Sequence, residues 1–360
     1  MIHSIFNTYD NTIYEQYSIR NTGLDAVLDL SKTIAGTTTS NNRVLMKFDL
    51  DTIQNFATQT GATNLKYYLN LYTVQAQEVP STYTIEVYPL AMDWDSGVGK
   101  YLHVPQTTMG SSWANSKNGT QQIPWQVGSF YPNETASWSA TVGGGTWNYS
   151  IVSSQSFDYS STDIRVDVTD IVNAWIYGLL PNYGFIIKKS NADEKSLTKF
   201  ETLKYYSGDT ATIYLPKLEM AYDDAVYQPS TLQQPDSNKD VVVYVKNLKK
   251  NYKQSSKTRF DVGVREKYPT ITFATQSNYI TIQQLPTSSL HYSIMHADTD
   301  EVVIPFDDDY TKVSCGANGN YFNMWMGGLQ PERYYKVLFR VSRNGSEDYI
   351  DNNQIFKVTR

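Results

Sequence analysis

The 360-residue sequence predicts an all-β protein, on three observations. Charged residues make up only 18% of the chain, against about 25% in ordinary domains. Tyrosine occurs 29 times beside 13 Phe and 7 Trp, and aromatic residues favour strands. Short apolar runs are separated by turn residues instead of recurring at helical spacing. A helical bundle needs Ala, Leu, Glu and Lys and is disfavoured. So is disorder, because aromatic and β-branched residues are plentiful. At ~100–200 residues per domain the length implies two domains, or three. The lone cysteine, Cys315, excludes an internal disulfide.

The first strand expected runs from Arg43, with Val44, Met46, Phe48 and Leu50 on one face. Residues 64–74 and 83–90 follow as two more. From about 95 to 160 the chain turns rich in Gly, Ser, Asn and Trp, with Trp94, Trp113, Trp125, Trp138 and Trp147 in or beside it. A long loop that keeps large aromatics is expected to meet a partner, which makes Trp94, Trp113, Trp125 and Tyr131 candidate contact residues. Residues 163–170 then lead into the one helix expected here. Thr169 or Asp170 would cap it, Ile171, Val172, Trp175 and Ile176 would form its apolar stripe, and Gly178 would stop it. Residues 183–189, 198–206 and 211–221 return to strand character.

Residues 226–237 lack periodicity and carry two prolines, and are expected to link domains at 1–225 and 238–360. The charge balance also changes there. Up to residue 230 the chain has 14 Lys and Arg against 22 Asp and Glu, and after it 16 against 14. Short strands are expected at 241–245, 258–264, 270–274, 279–283, 291–295, 302–304, 321–326, 334–341 and 354–358. Turn signals every 8–12 residues suggest an immunoglobulin- or fibronectin-III-like sandwich. In Leu329-Gln330-Pro331, followed closely by Tyr335, the tyrosine is either a corner residue bonded back to the turn or an ordinary strand residue.

Catalytic patterns are mostly missing. The four histidines do not cluster for metal ligation, no nucleophile elbow exists, and Gly143-Gly144-Gly145 lacks the Lys of a phosphate loop. Asp93-Trp94-Asp95 is the best carboxylate pair for glycoside hydrolysis, but polar neighbours would leave both acids ionised. Acids at 298–309, including Asp307, Asp308 and Asp309, lack a calcium-loop pattern. The chain is therefore read as non-enzymatic and without a cofactor. Lys246, Lys249, Lys250 and Lys253 begin a basic segment in which Tyr252 is the one interleaved aromatic expected to be exposed, so nucleic acid is disfavoured. The segment is either a solvated strand edge or a surface that meets the acidic 298–309 stretch of a neighbouring copy, which would close copies into a ring.

Several pieces occur together and in order: Asn42-Arg43, Lys47-Phe48-Asp49-Leu50, Asn64-Leu65-Lys66, Gly145-Thr146-Trp147-Asn148, Val166 to Trp175, Asn182-Tyr183-Gly184-Phe185 and Leu215-Pro216-Lys217-Leu218. On these, residues 1–222 resemble the DNRLRE-type β-sandwich, similar to a carbohydrate-binding-module fold found in bacterial surface proteins and phage particles. The opening here is Asn41-Asn42-Arg43-Val44 in place of Asp-Asn-Arg-Leu, and the Trp-rich insertion is longer than the family needs. The resemblance implies a jelly-roll-like N-terminal sandwich. The two-domain combination is similar in style to virion structural proteins of tailed phages. It implies a virion protein of the neck or tail, assembled in the host cytoplasm, whose partners are other virion proteins and copies of itself. The alternative is a glycan-binding module stacking sugars on Trp113, Trp125 or Tyr131. Neither a secretion leader nor a membrane span is expected.

Overall fold

A computed structural model describes residues 1–62, 64–80, 82–126, 143–157, 161–228, 230–269 and 282–360. Strands account for 45% of the residues and helices for 9%, so the all-β class holds. The chain divides into two compact units: Ile5–Gly61 with Lys66–Glu219, and Met1–Ser4 with Ala62–Leu65 and Met220–Arg360.

The first unit is organised by a six-stranded sheet in the order Ser153–Phe157, Tyr83–Pro89, Phe185–Lys189, Thr38–Lys47 and Tyr9–Tyr14, with Lys32–Ala35 also paired to Thr38–Lys47. These pairings are antiparallel. A second sheet includes Lys66–Leu71 paired with Ile164–Asp167. A third holds Val27–Asp29, Thr202–Tyr206 and Thr73–Gln77. The single strand expected over 64–74 is thus two strands, Lys66–Leu71 and Thr73–Gln77, in different sheets.

The Thr38–Lys47 strand corrects the expectation of one buried face. Arg43, Val44, Leu45 and Met46 are all buried, because the strand is central and both faces of its sheet are covered. Leu50 does not continue the strand but opens a helix, Leu50–Thr60. The Asp49 carboxylate accepts from the Thr52 amide at 3.0 Å, Ile53 and Phe56 are buried, and Gly61 ends the helix at φ 63°. The expected helix forms as Thr169–Ile176, with Gly178 at φ 69° just beyond it. Its capping differs from expectation: Val168 is the cap residue and gives no side-chain bond. Thr169 Oγ1 accepts instead from the Tyr67 amide at 3.0 Å, which ties the helix to a strand. A short third helix, Asn191–Lys195, starts at Ser190, so the single-helix expectation is also corrected.

The second unit is a sandwich. One sheet runs Val241–Val245, Lys257–Glu266, Gly319–Trp325 and Ser314–Gly316; the other runs Asn251–Lys253, Ser346–Thr359, Arg333–Arg343, Leu290–His296 and Val302–Ile304. Rings interlock between them: Tyr292 stacks on Phe322 at 4.2 Å, and Phe260 meets Phe356 at 5.8 Å. Tyr335 is the corner residue, its hydroxyl donating to the Gln330 carbonyl at 2.8 Å. The strand expected at 354–358 is the end of a 14-residue strand, Ser346–Thr359. It is long because Asn344 and Gly345, at φ 51° and 78°, fold a tight hairpin onto Arg333–Arg343. The strand expected at 270–274, and the start of that at 279–283, lie outside the described residues. Strands Asn251–Lys253 and Ser314–Gly316 were not anticipated, being too short to show a period.

Candidate functional site

Four tryptophans in or beside the insertion turn inward. Trp94, Trp113, Trp125 and Trp147 are 5%, 1%, 2% and 1% exposed, and pack with Ile13, Leu45, Tyr88, Leu90 and Ile186 into a second core on the six-stranded sheet. This corrects the expectation that Trp94, Trp113 and Trp125 form an exposed contact surface. The reason is geometric: the outer face of a central sheet carries Leu45 and Ile186 and has to be covered, and each Trp supplies ~150–250 Å² of apolar surface. Two of the four indoles are anchored, Trp94 Nε1 donating to the Tyr183 carbonyl and Trp125 Nε1 to the Ser112 carbonyl, each at 2.8 Å. The Gly143-Gly144-Gly145 run serves the same layer. A side chain on Gly144 would meet Arg43 Nη1 at 2.6 Å and the Trp113 ring at 2.9 Å. Tyr131 and Trp138 lie outside the described residues.

Beneath this layer is a charge cluster that sequence reasoning missed. Arg43 binds Glu194 through two bonds of 2.9 and 2.8 Å and donates to the Gly144 carbonyl at 2.6 Å. Its guanidinium lies 4.8 Å from the Trp113 ring and 5.2 Å from that of Trp147. Lys188 stands 3.4 Å from Glu194, and Lys189 stands 3.2 Å from Glu201, whose other bond comes from the Tyr83 hydroxyl. Burial works against ionised Glu194, but the Arg43 and Lys188 charges outweigh it and hold the carboxyl at about 2. The residues that carry the family resemblance have fold duties. Arg43 anchors the cluster, Trp175 packs on Phe185 at 4.6 Å, and Asn182 Nδ2 donates to the Phe48 carbonyl at 2.9 Å.

Lys246, Lys249, Lys250 and Lys253 come together on the connection from Val241–Val245 to Asn251–Lys253, each an edge strand of its own sheet. All four are exposed, and none has an ion pair among the described residues. The other cations of the segment are engaged locally. Lys257 lies over the Trp325 ring at 4.6 Å, Arg259 lies over Tyr321 at 3.7 Å and bonds Asp261, and Lys267 reaches Asp240 at 3.9 Å. Tyr252, the one aromatic expected to face out among these lysines, is buried against Phe260 and Phe356. Its alternate side chain position in the Asn251–Lys253 strand points into the sandwich, as strand geometry requires when both neighbours are exposed.

The acidic stretch is largely engaged within its own unit. Asp308 pairs with Arg340, Asp309 lies 3.7 Å from Lys312, and Asp300 lies 2.6 Å from Lys336. Asp307 accepts from the amides of Asp309 and Tyr310 at 2.8 and 2.9 Å, closing its own turn. Asp93 is bonded by Lys117 at 2.7 Å and Lys47 at 3.3 Å. Burial raises its pKa, but those two lysines lower it further, so the carboxyl sits below its usual range and is not a proton donor. No three metal-ligating side chains cluster among the described residues, and no helix among them is long and apolar enough to cross a membrane.

A second feature absent from the sequence reading is a polar groove of about 270 Å³ in the first unit, lined by Asn7, Tyr9, Asp10, Leu24, Gly208 and Asp209 among others. Asp10 forms its floor and accepts from Asn7 Nδ2 at 2.7 Å, the Gly208 amide at 2.7 Å and Ser207 Oγ at 2.9 Å. Burial nevertheless pushes its carboxyl up to about 6. No sequence signal joins residues some 200 positions apart; only the fold does.

No protein-family profile matches the chain, and no curated protein does. Among solved structures it is similar to a Parabacteroides merdae β-glucuronidase (8% identity, TM-score 0.16), covering 82% of this chain and 28% of that one. It is also similar to the adhesin domain of Epf from Streptococcus pyogenes (9% identity, TM-score 0.18), covering 99% and 91%. The chain thus spans under a third of the glucuronidase's length, and likenesses this slight carry no argument about function.

Proposed function

We propose that the protein is a structural component of a tailed-bacteriophage particle, in the neck or tail region, working by ordered contact with other virion proteins and with copies of itself. The observation that carries this reading is the face formed by Lys246, Lys249, Lys250 and Lys253. Four exposed cations with no counter-charge among the described residues sit on a ring-packed sandwich, and such a face orients a partner that brings carboxylates. The ordered motifs of residues 1–222, which resemble a domain type found in phage particles, support the same reading. The glycan-module alternative stacks sugars on Trp113, Trp125 or Tyr131; the first two are interior, which supports assembly over it, and Tyr131 lies outside the described residues.

Mass photometry across a salt series tests the assembly. Oligomers at low salt that dissociate as salt rises are expected, since exposed charge pairs are screened beyond ~10 Å at 0.1 M. A monomer at low salt overturns it. For the virion, sedimentation of particles from a producing culture is the check: the protein should travel with the particles, and confinement to the particle-free fraction overturns that part.

A further inference from the structure

The groove over Asp10 and Asp209 has features suited to a single cationic side chain, on grounds independent of the lysine face. The donors around Asp10 are turned inward: Asn7 Nδ2, the Gly208 amide and Ser207 Oγ all bond its carboxylate. Ser96 Oγ is likewise spent on the carbonyls of Asp10 and Gly23, and the Asp209 amide on Ser207 Oγ. Beside these spent donors, the two carboxylates give the groove acceptor capacity and negative charge. Asp10 Oδ1 has one donor and room for another. The exposed Asp209 carboxylate has no hydrogen bond or ion pair among the described residues, with Lys100 the cation whose charge bears on it. An ammonium or guanidinium only donates, and so is matched by two carboxylates. The volume of about 270 Å³ falls below the ~300–1,000 Å³ of pockets that enclose whole small molecules, and suits one side chain. Tyr9, 52% exposed at the rim, offers a ring face to a cation. Gly208 keeps the floor open, since a side chain there would meet the Asn7 amide at 2.6 Å.

We propose that this groove receives a lysine of the Lys246, Lys249, Lys250 and Lys253 face of a second copy of the chain. The inference rests on the assembly reading above and supplies its acceptor. The two surfaces are complementary in charge, and neither Asp209 nor the four lysines has an ion pair among the described residues, whereas Asp300, Asp308 and Asp309 already pair with Lys336, Arg340 and Lys312.

Zero-length carbodiimide cross-linking of a mixture of 14N- and 15N-labelled protein, read by mass spectrometry, tests it together with the self-association constant. The expected result is a mixed-label amide between Asp209 and one of the four lysines. Self-association should weaken about tenfold or more in Asp209→Lys, less in Asp209→Asn, and recover when Asp209→Lys is mixed with a Lys249→Glu, Lys250→Glu variant. Asp209 is exposed, and an unchanged circular-dichroism spectrum verifies the fold of each variant. Mixed-label links that join the lysines to Asp300, Asp308 or Asp309, or wild-type association in Asp209→Lys, overturn the groove while leaving assembly standing. A wild-type protein that is monomeric at low salt overturns both.

Discussion

At the residue scale, two buried carboxyls show how environment decides what a side chain does. Glu194 holds Arg43 and Lys188 in the interior of the first unit, and its pKa of about 2 lies below the usual 4.5. Its contribution to stability is therefore complete above pH 4.5 and lost as pH falls toward 2. Glu194→Gln would leave two buried cations short of their counter-charge, and urea unfolding at pH 7 should show a loss of about 3–5 kcal/mol. A loss below 1 kcal/mol would mean that water or another carboxylate replaces it. Asp10 has the opposite sign. Its folded pKa of about 6 exceeds the ordinary 3.8, so the stability linked to its protonation is present below pH 3.8 and lost as pH rises through 6. Wild type should lose up to about 3 kcal/mol from this group between pH 4 and pH 7. Asp10→Asn should be destabilised overall but lack that decline; an identical pH slope in the variant would show that the group titrating is another one.

At the element scale, the Trp-rich insertion was readable as unusual and not as core. Its composition marks it out, but whether Trp113 faces water or a sheet depends on strands at 9–14, 38–47 and 185–189, whose outer face has no periodic signature that differs from a second buried face. Trp113→Ala should cost about 3–5 kcal/mol, as for removal of a large core aromatic, and calorimetry reads it as a lower Tm. An unchanged Tm would contradict the covered-sheet account. The helix Leu50–Thr60 was legible in principle, with Asp49, Ile53, Phe56 and Gly61 at capping and facing positions, but the alternation of Val44, Met46 and Phe48 ran on to Leu50 and hid its start. The Tyr335 corner was one of two local readings, because the Leu329-Gln330-Pro331 turn and the tyrosine are close in sequence, and the hydroxyl's bond to Gln330 decides between them. Tyr335→Phe removes one hydrogen bond and leaves the ring, so a loss of about 1–2 kcal/mol is expected from chemical denaturation. No loss would make the hydroxyl's bond incidental.

At the scale of the whole molecule, charge is distributed unevenly along the chain, acidic up to residue 230 and slightly basic after it. The lysine face makes that imbalance local, and the salt dependence of self-association is its measurable consequence: dissociation should begin as the ionic strength passes ~0.1 M, and association that strengthens with salt would point to apolar contact instead. By itself the sequence determined the all-β class, through its composition, and the second helix and the basic segment, because each of these depends on residue type and spacing over fewer than about ten positions; it offered the tyrosine corner as one of two readings. Only the tertiary structure decided the roles of the tryptophans, the Arg43–Glu194 anchor and the groove joining Asp10 to Asp209. Those depend on which distant segments lie against one another, and burial, unlike periodicity, is a property of the neighbours a residue acquires on folding.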